Sequence, residues 1–117
     1  MSLHPDAAAF LEMGKKAGLP DISEQGARMA RSNSHVEPDL NGPIDPSVDI
    51  TYEYFTGPTA DIPVSIYTPK GASSGKRAAL VYFHGGGWVI NYITKYHAQL
   101  ATIAAKTNSV VVSVNYQ

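Results

Sequence analysis

A chain of 117 residues with 44% hydrophobic side chains is enough for one small globular domain, or part of one, and not for two. Nine Lys and Arg against ten Asp and Glu give a formal charge of −1, and no basic run exceeds Lys15–Lys16 or Lys76–Arg77, which argues against a nucleic-acid partner. No apolar stretch approaches the ~20 residues that span a bilayer, and the N-terminus has neither a basic n-region nor an apolar h-region. The absence of cysteine removes disulfides, thiolate catalysis and cysteine-based zinc sites; with no export signal, a cytoplasmic protein is expected.

In chain order, Pro5 suits the first turn of a helix, and Ala7, Phe10, Leu11, Gly14 and Ala17 fall on one face before Gly18 and Pro20 stop it. A second helix is expected after Asp21 or Ser23 as cap, with Ile22, Gly26, Met29 and Ala30 on one side and an end near Ser32–Asn33. Both narrow apolar faces are expected to cover a core, since neither polar face is basic enough for a membrane surface. Residues 34–48 hold Pro38, Pro43 and Pro46 around Asn41–Gly42 and read as an extended connector. The chain therefore divides into a helical arm (1–33), a connector (34–48) and a sheet-forming part (49–117).

Asp49 to Thr56 and Ile62 to Thr68 are rich in β-branched and aromatic residues around Gly57–Pro58, which predicts a strand pair. In the second run Ile62, Val64, Ile66 and Thr68 alternate against Pro63, Ser65 and Tyr67, so one face is expected to be buried. Gly71–Ala72–Ser73–Ser74–Gly75 matches the G-x-S-x-G pattern of a nucleophile elbow, but it runs from Pro69–Lys70 into another strand instead of from a strand into a helix. A solvent loop is the expectation there. It also fails as a phosphate-binding loop, because Lys76 is followed by Arg77.

Ala78 to Phe83 is a continuous apolar run, as in a strand buried on both faces of a mostly parallel sheet. His84–Gly85–Gly86–Gly87–Trp88 follows, then a helix from Thr94 through Tyr96, Leu100, Ile103 and Ala104 with Asn108 as its stop, and a strand from Val110 to Tyr116. This is a βαβ unit. Three consecutive glycines sit where a Cβ would block a conformation or an approach, so their bare N–H groups can face an anion or a developing negative charge. A dinucleotide-binding unit is one alternative, although Ile90 stands at the third fingerprint position and Asn115 replaces the acid ending the second strand.

The series Val81 to Trp88, the hairpin ending Ile66–Tyr67–Thr68–Pro69 and the closing Val112 to Tyr116 resemble the N-terminal part of an α/β-hydrolase, within the hormone-sensitive-lipase-like carboxylesterases. The resemblance implies an α/β fold, with a β-hairpin and then βαβ, preceded by two lid-type helices and incomplete as a domain. It implies that Gly86 and Gly87 supply backbone donors of an oxyanion hole, that Gly85 permits the turn, and that His84 supports the loop without being the base. Trp88 is expected to pack behind the loop. Phe10, Leu11, Ile22 and Met29 are candidates to touch an acyl chain, with core packing as their default. No metal or cofactor is implied; His84 lacks companion ligands. The substrate implied is a small ester.

Two departures stand out. Asn91–Tyr92 replaces the family's glycine and acid, and Asn can still enter the left-handed region; Asn115–Tyr116–Gln117 replaces Asp-Tyr-Arg. In the family the nucleophile, acid and base all follow the oxyanion loop, and none is present here. His4, His35, His84 and His97 do not repair this. The expectation is a chain contributing an oxyanion hole, inactive alone, with an open apolar edge along Ala78 to Phe83 that needs more chain or a partner. A non-catalytic truncated binding protein is the remaining alternative.

Overall fold

The computed structural model describes residues 2–18, 20–35, 41–71 and 75–116. Helix α1 (Pro5–Lys16) begins where expected: Pro5 lies in its first turn and the His4 ring accepts from the Asp6 N–H at 3.3 Å. It ends before Gly18, which adopts φ 66. None of its residues is buried, and Phe10 and Leu11 are half exposed, so α1 does not cover a core as expected.

The second helix starts later than the sequence suggests. Asp21 caps only a short 3-10 turn, Ile22–Glu24, after which Gln25 is extended. The Gln25 side chain donates to the Pro20 carbonyl at 2.6 Å and accepts from Asn33 at 2.9 Å, bridging the break. Helix α2 is Ala27–Asn33, with only Ala30 buried; Ile22 and Met29 face outward, against the core-packing expectation.

Strands β1 (Val48–Thr56) and β2 (Asp61–Pro69) form the expected antiparallel pair, in register from Val48 opposite Pro69 to Thr56 opposite Asp61. After β3 (Ala79–Phe83) the chain passes a 3-10 turn at Ile93–Tyr96, helix α3 (His97–Thr107) and β4 (Val110–Val114). β3 and β4 are parallel, β4 pairs antiparallel with β2, and the sheet order is β1-β2-β4-β3. Asn108 ends α3 in the left-handed conformation (φ 50), and the Ser109 N–H returns to the Ala104 carbonyl.

The core lies between α3 and one face of the sheet: Leu100, Ala101 and Ala104 pack on Val48, Tyr67 and Val111. On β2 the helix-covered face is therefore that of Ser65 and Tyr67, while Ile66 on the opposite face is only partly buried, which reverses the expected emphasis. Tyr67 can occupy this core because its hydroxyl meets His97 Nδ1 at 2.7 Å, so its polar tip is satisfied. Ile103, expected on the core face of α3, is 38% exposed.

β3 also departs from expectation. It has β4 on one side and no strand on the other among the described residues, so Leu80, Val81 and Phe83 are exposed, not buried on two faces. The expected open apolar edge is present.

Candidate active site

β3 delivers the chain into His84 at its carboxyl end, where α/β sheets place their ligand sites. The following turn uses three successive left-handed residues, Gly86 (φ 138), Gly87 (φ 58) and Trp88 (φ 60). The Gly86 carbonyl accepts from the Val89 N–H at 3.1 Å and the Ile90 N–H at 3.0 Å. That closure brings the Ile90 carbonyl against Gly86 Cα: a Cβ there would lie 2.8 Å from the carbonyl carbon and closer still to its oxygen. Gly86 is thus required twice, by conformation and by space.

Gly85 is not. It lies outside the left-handed region and an added Cβ meets nothing within 4 Å, so the turn is permitted by Gly86 and Gly87, not by Gly85. The N–H groups of Gly85, Gly86, Gly87 and Trp88 find no acceptor among the described residues. Such a run of unused donors in a tight turn is a concavity for negative charge.

Three residues outside the glycines hold this turn. The Asn91 side-chain amide donates to the Gly85 carbonyl at 2.9 Å and to the Tyr96 hydroxyl at 3.0 Å, and its oxygen accepts from Lys95 at 3.2 Å. Asn91 has φ 76, so it does replace a glycine in the left-handed region. Arg31 of α2 donates from Nε to the Val89 carbonyl at 2.9 Å. The Tyr116 hydroxyl, beyond β4, donates to the His84 carbonyl. Asn91 was flagged in the sequence only for its backbone, and nothing local to Arg31 or Tyr116 signals contacts across 58 and 32 positions.

His84 is buried, its ring 4.5 Å from that of Tyr116 and nearly parallel to it. Its Nδ1 lies 3.0 Å from the Gly85 carbonyl, which can only accept, so Nδ1 carries the proton. Nε2 is then a lone pair, sealed from solvent and without a hydrogen-bond partner among the described residues. Trp88, by contrast, is 82% exposed and packs behind nothing, because its left-handed backbone turns it off the loop.

Two cavities flank the turn. One of about 600 Å³ is lined by Phe83, His84, Gly85, Gly86, Gly87, Trp88 and Tyr116. The other, about 450 Å³, lies on the α2 side and includes Arg31, Val89, Asn91 and Asn115. No carboxylate of the described residues lines either. α3 begins at His97, ten positions beyond Gly87 and through a 3-10 turn, so the glycines do not open a helix as a dinucleotide site requires. Ser73 lies outside the described residues, and no described serine stands between a strand and a following helix.

Comparison with known proteins bears on the same stretch. A family model for the alpha/beta hydrolase fold matches residues 80–117. Mouse (Mus musculus) arylacetamide deacetylase-like 4 family member 1 is 43% identical over 56 residues, covering 48% of this chain and 14% of the relative. Tuliposide B-converting enzyme 1 of Tulipa gesneriana is 35% identical over 98 residues, covering 80% of this chain and 21% of that enzyme. A solved ester hydrolase from the metagenome of Lake Arreo, in complex with a bipyridine phosphonate derivative, superposes with a TM-score of 0.84 at 23% identity, over 99% of this chain and 38% of that structure. These likenesses support an α/β-hydrolase carboxylesterase family for the chain. It spans well under half the length of these relatives and provides the N-terminal part of the hydrolase fold. Within that part, His84 to Trp88, Asn91, Arg31 and Tyr116 converge on one place; Phe10 and Leu11 line neither cavity.

Proposed function

We propose that this chain supplies the oxyanion-binding loop of a serine carboxylic-ester hydrolase acting on small esters, with α1 and α2 as an N-terminal lid arm. The reading rests on one observation: Gly86, Gly87 and their neighbours hold unused N–H donors in a turn that no side chain at Gly86 can enter. Ester hydrolysis turns a carbonyl oxygen into an oxyanion, and fixed backbone donors in a water-poor pocket stabilise that charge, each worth ~3 kcal/mol. Gly86 and Gly87 donate, His84 fixes the loop from beneath, and Asn91 fixes it from the α3 side. Serine, acid and base come from chain beyond this segment, in that order.

The 117-residue chain alone therefore leaves p-nitrophenyl acetate unhydrolysed above the blank; turnover lost on Ser73→Ala would overturn this. In a protein carrying this segment together with its elbow serine, Gly86→Ala lowers kcat about 10²-fold with KM little changed. Unaltered kcat would remove the oxyanion role.

A further inference from the structure

The 450 Å³ cavity beside the glycine loop contains a cation that no carboxylate of the described residues pairs with. Arg31 lines it, and of the five N–H donors of its guanidinium only Nε is engaged, on the Val89 carbonyl at 2.9 Å. That bond fixes the side chain against the loop instead of leaving it to swing in solvent. The two terminal nitrogens meet no acceptor among the described residues, and Arg31 takes part in none of their ion pairs. Among the described residues, Asp and Glu are absent from the lining. The Asn115 side chain, also on the wall, makes no hydrogen bond among the described residues, while Trp88, Val89 and Ile90 add apolar surface. This cavity and the groove over the glycines share His84, Trp88 and Tyr116 as walls.

We propose that Arg31 is a specificity residue that binds a carboxylate carried by the ester substrate, so that the site selects half-esters of short dicarboxylic acids. The assignment rests on the oxyanion reading for where the ester carbonyl lies. A planar guanidinium with one edge tied down presents its free edge to both oxygens of a carboxylate. Asn115 adds an amide donor, and the Trp88–Ile90 wall receives the methylenes between acid and ester. An exposed arginine on a helix is ordinarily only solvated. Here the tether to Val89 and a lining without Asp or Glu among the described residues set it apart.

The test is a titration of the ¹⁵N-labelled chain with monomethyl glutarate, and with dimethyl glutarate as the uncharged match. The readouts are the Arg31 Nε–Hε signal and the amides of Trp88 to Asn91. The half-ester is expected to give saturable shifts and the diester to bind about fivefold more weakly, the range of a single partly exposed ion pair. Arg31→Gln is expected to weaken half-ester binding about fivefold and to remove the difference between the two ligands; Arg31→Lys, which keeps the charge without the fork, falls between. Equal binding of half-ester and diester by the unaltered chain overturns the proposal, as does an unchanged half-ester affinity in Arg31→Gln, or no saturable shift at all. With catalytically complete protein, the kcat/KM ratio of mono-p-nitrophenyl glutarate to p-nitrophenyl butyrate falls by the same factor in Arg31→Gln. Binding on the chain needs no turnover, so failure of the Gly86→Ala kinetics with Arg31-dependent binding intact would remove the oxyanion role and spare the carboxylate site.

Discussion

Exchanging two adjacent glycines for alanine separates a loop built by geometry from one that is merely flexible. At Gly86 the added Cβ would stand 2.8 Å from the Ile90 carbonyl carbon and closer still to its oxygen, so the backbone there must retreat by about 1 Å or more to reach ordinary contact. That retreat loosens the bonds from Val89 and Ile90 to the Gly86 carbonyl and the bond from Asn91 to Gly85. Each such bond contributes roughly 1 kcal/mol. Holding alanine at φ 138 adds about 1–3 kcal/mol of backbone strain. Gly86→Ala is therefore expected to cost up to about 4–6 kcal/mol, or to spare stability only by abandoning the native turn. Gly85→Ala meets no atom within 4 Å and needs no left-handed backbone, so its effect stays within about 0.5 kcal/mol. Urea unfolding followed by far-ultraviolet circular dichroism gives the stabilities, and amide shifts of residues 84–92 report the turn. If the two variants behave alike by both measures, the steric account of Gly86 is wrong.

Leu100→Ala removes a fully buried side chain from the contact of α3 with Tyr67 and Val111 and is expected to cost ~3 kcal/mol in urea unfolding, whereas Ile103→Ala on the exposed side of the same helix costs under about 1. Asn91→Gly keeps the left-handed backbone but loses the bonds to Gly85 and Tyr96, and should lower stability by about 1–2 kcal/mol; Asn91→Ala adds strain and should be worse by denaturant midpoint. His97 is held below the ordinary histidine pKa of 6.5 by burial, and the groups facing it are the Tyr67 and Tyr52 hydroxyls. The unfolded chain then binds the proton more readily, so stability is fully present above about pH 6.5 and declines as the pH falls toward the folded-state pKa. Urea midpoints from pH 8 to pH 5 should fall, and His97→Gln should flatten the dependence.

Much of the framework could be read from local pattern: the hairpin, the βαβ order, the asparagine ending α3 and the left-handed backbone of Asn91. These depend on propensity, turn chemistry and periodicity, which act within a few residues. What pattern could not convey was which surface would be covered. The alternation in β2 shows two faces, but only the position of α3 decides that Tyr67, an amphipathic residue, lies in the core while Ile66 is left partly open. An apolar run such as Ala79–Phe83 reads as buried because composition carries no information about sheet order, and β3 turned out to be the edge. The glycine loop was visible as composition. Its supports were not, since Arg31 and Tyr116 reach it from opposite ends of the chain, and Trp88 was misplaced because a left-handed tryptophan is not expected from sequence.

The bond from Tyr116 to the His84 carbonyl has a consequence in time. β3 has no partner until β4 exists, and β4 lies beyond α3 in the chain. During synthesis the β1–β2 hairpin can pair as soon as it emerges, since its contacts are local. The bonds that close the glycine turn are local too, but its brace at His84 waits for Tyr116, 32 positions after that histidine. The glycine loop is thus among the last parts of this segment to gain its full set of contacts, and a nascent chain paused at α3 would display the three glycines before Tyr116 can brace His84.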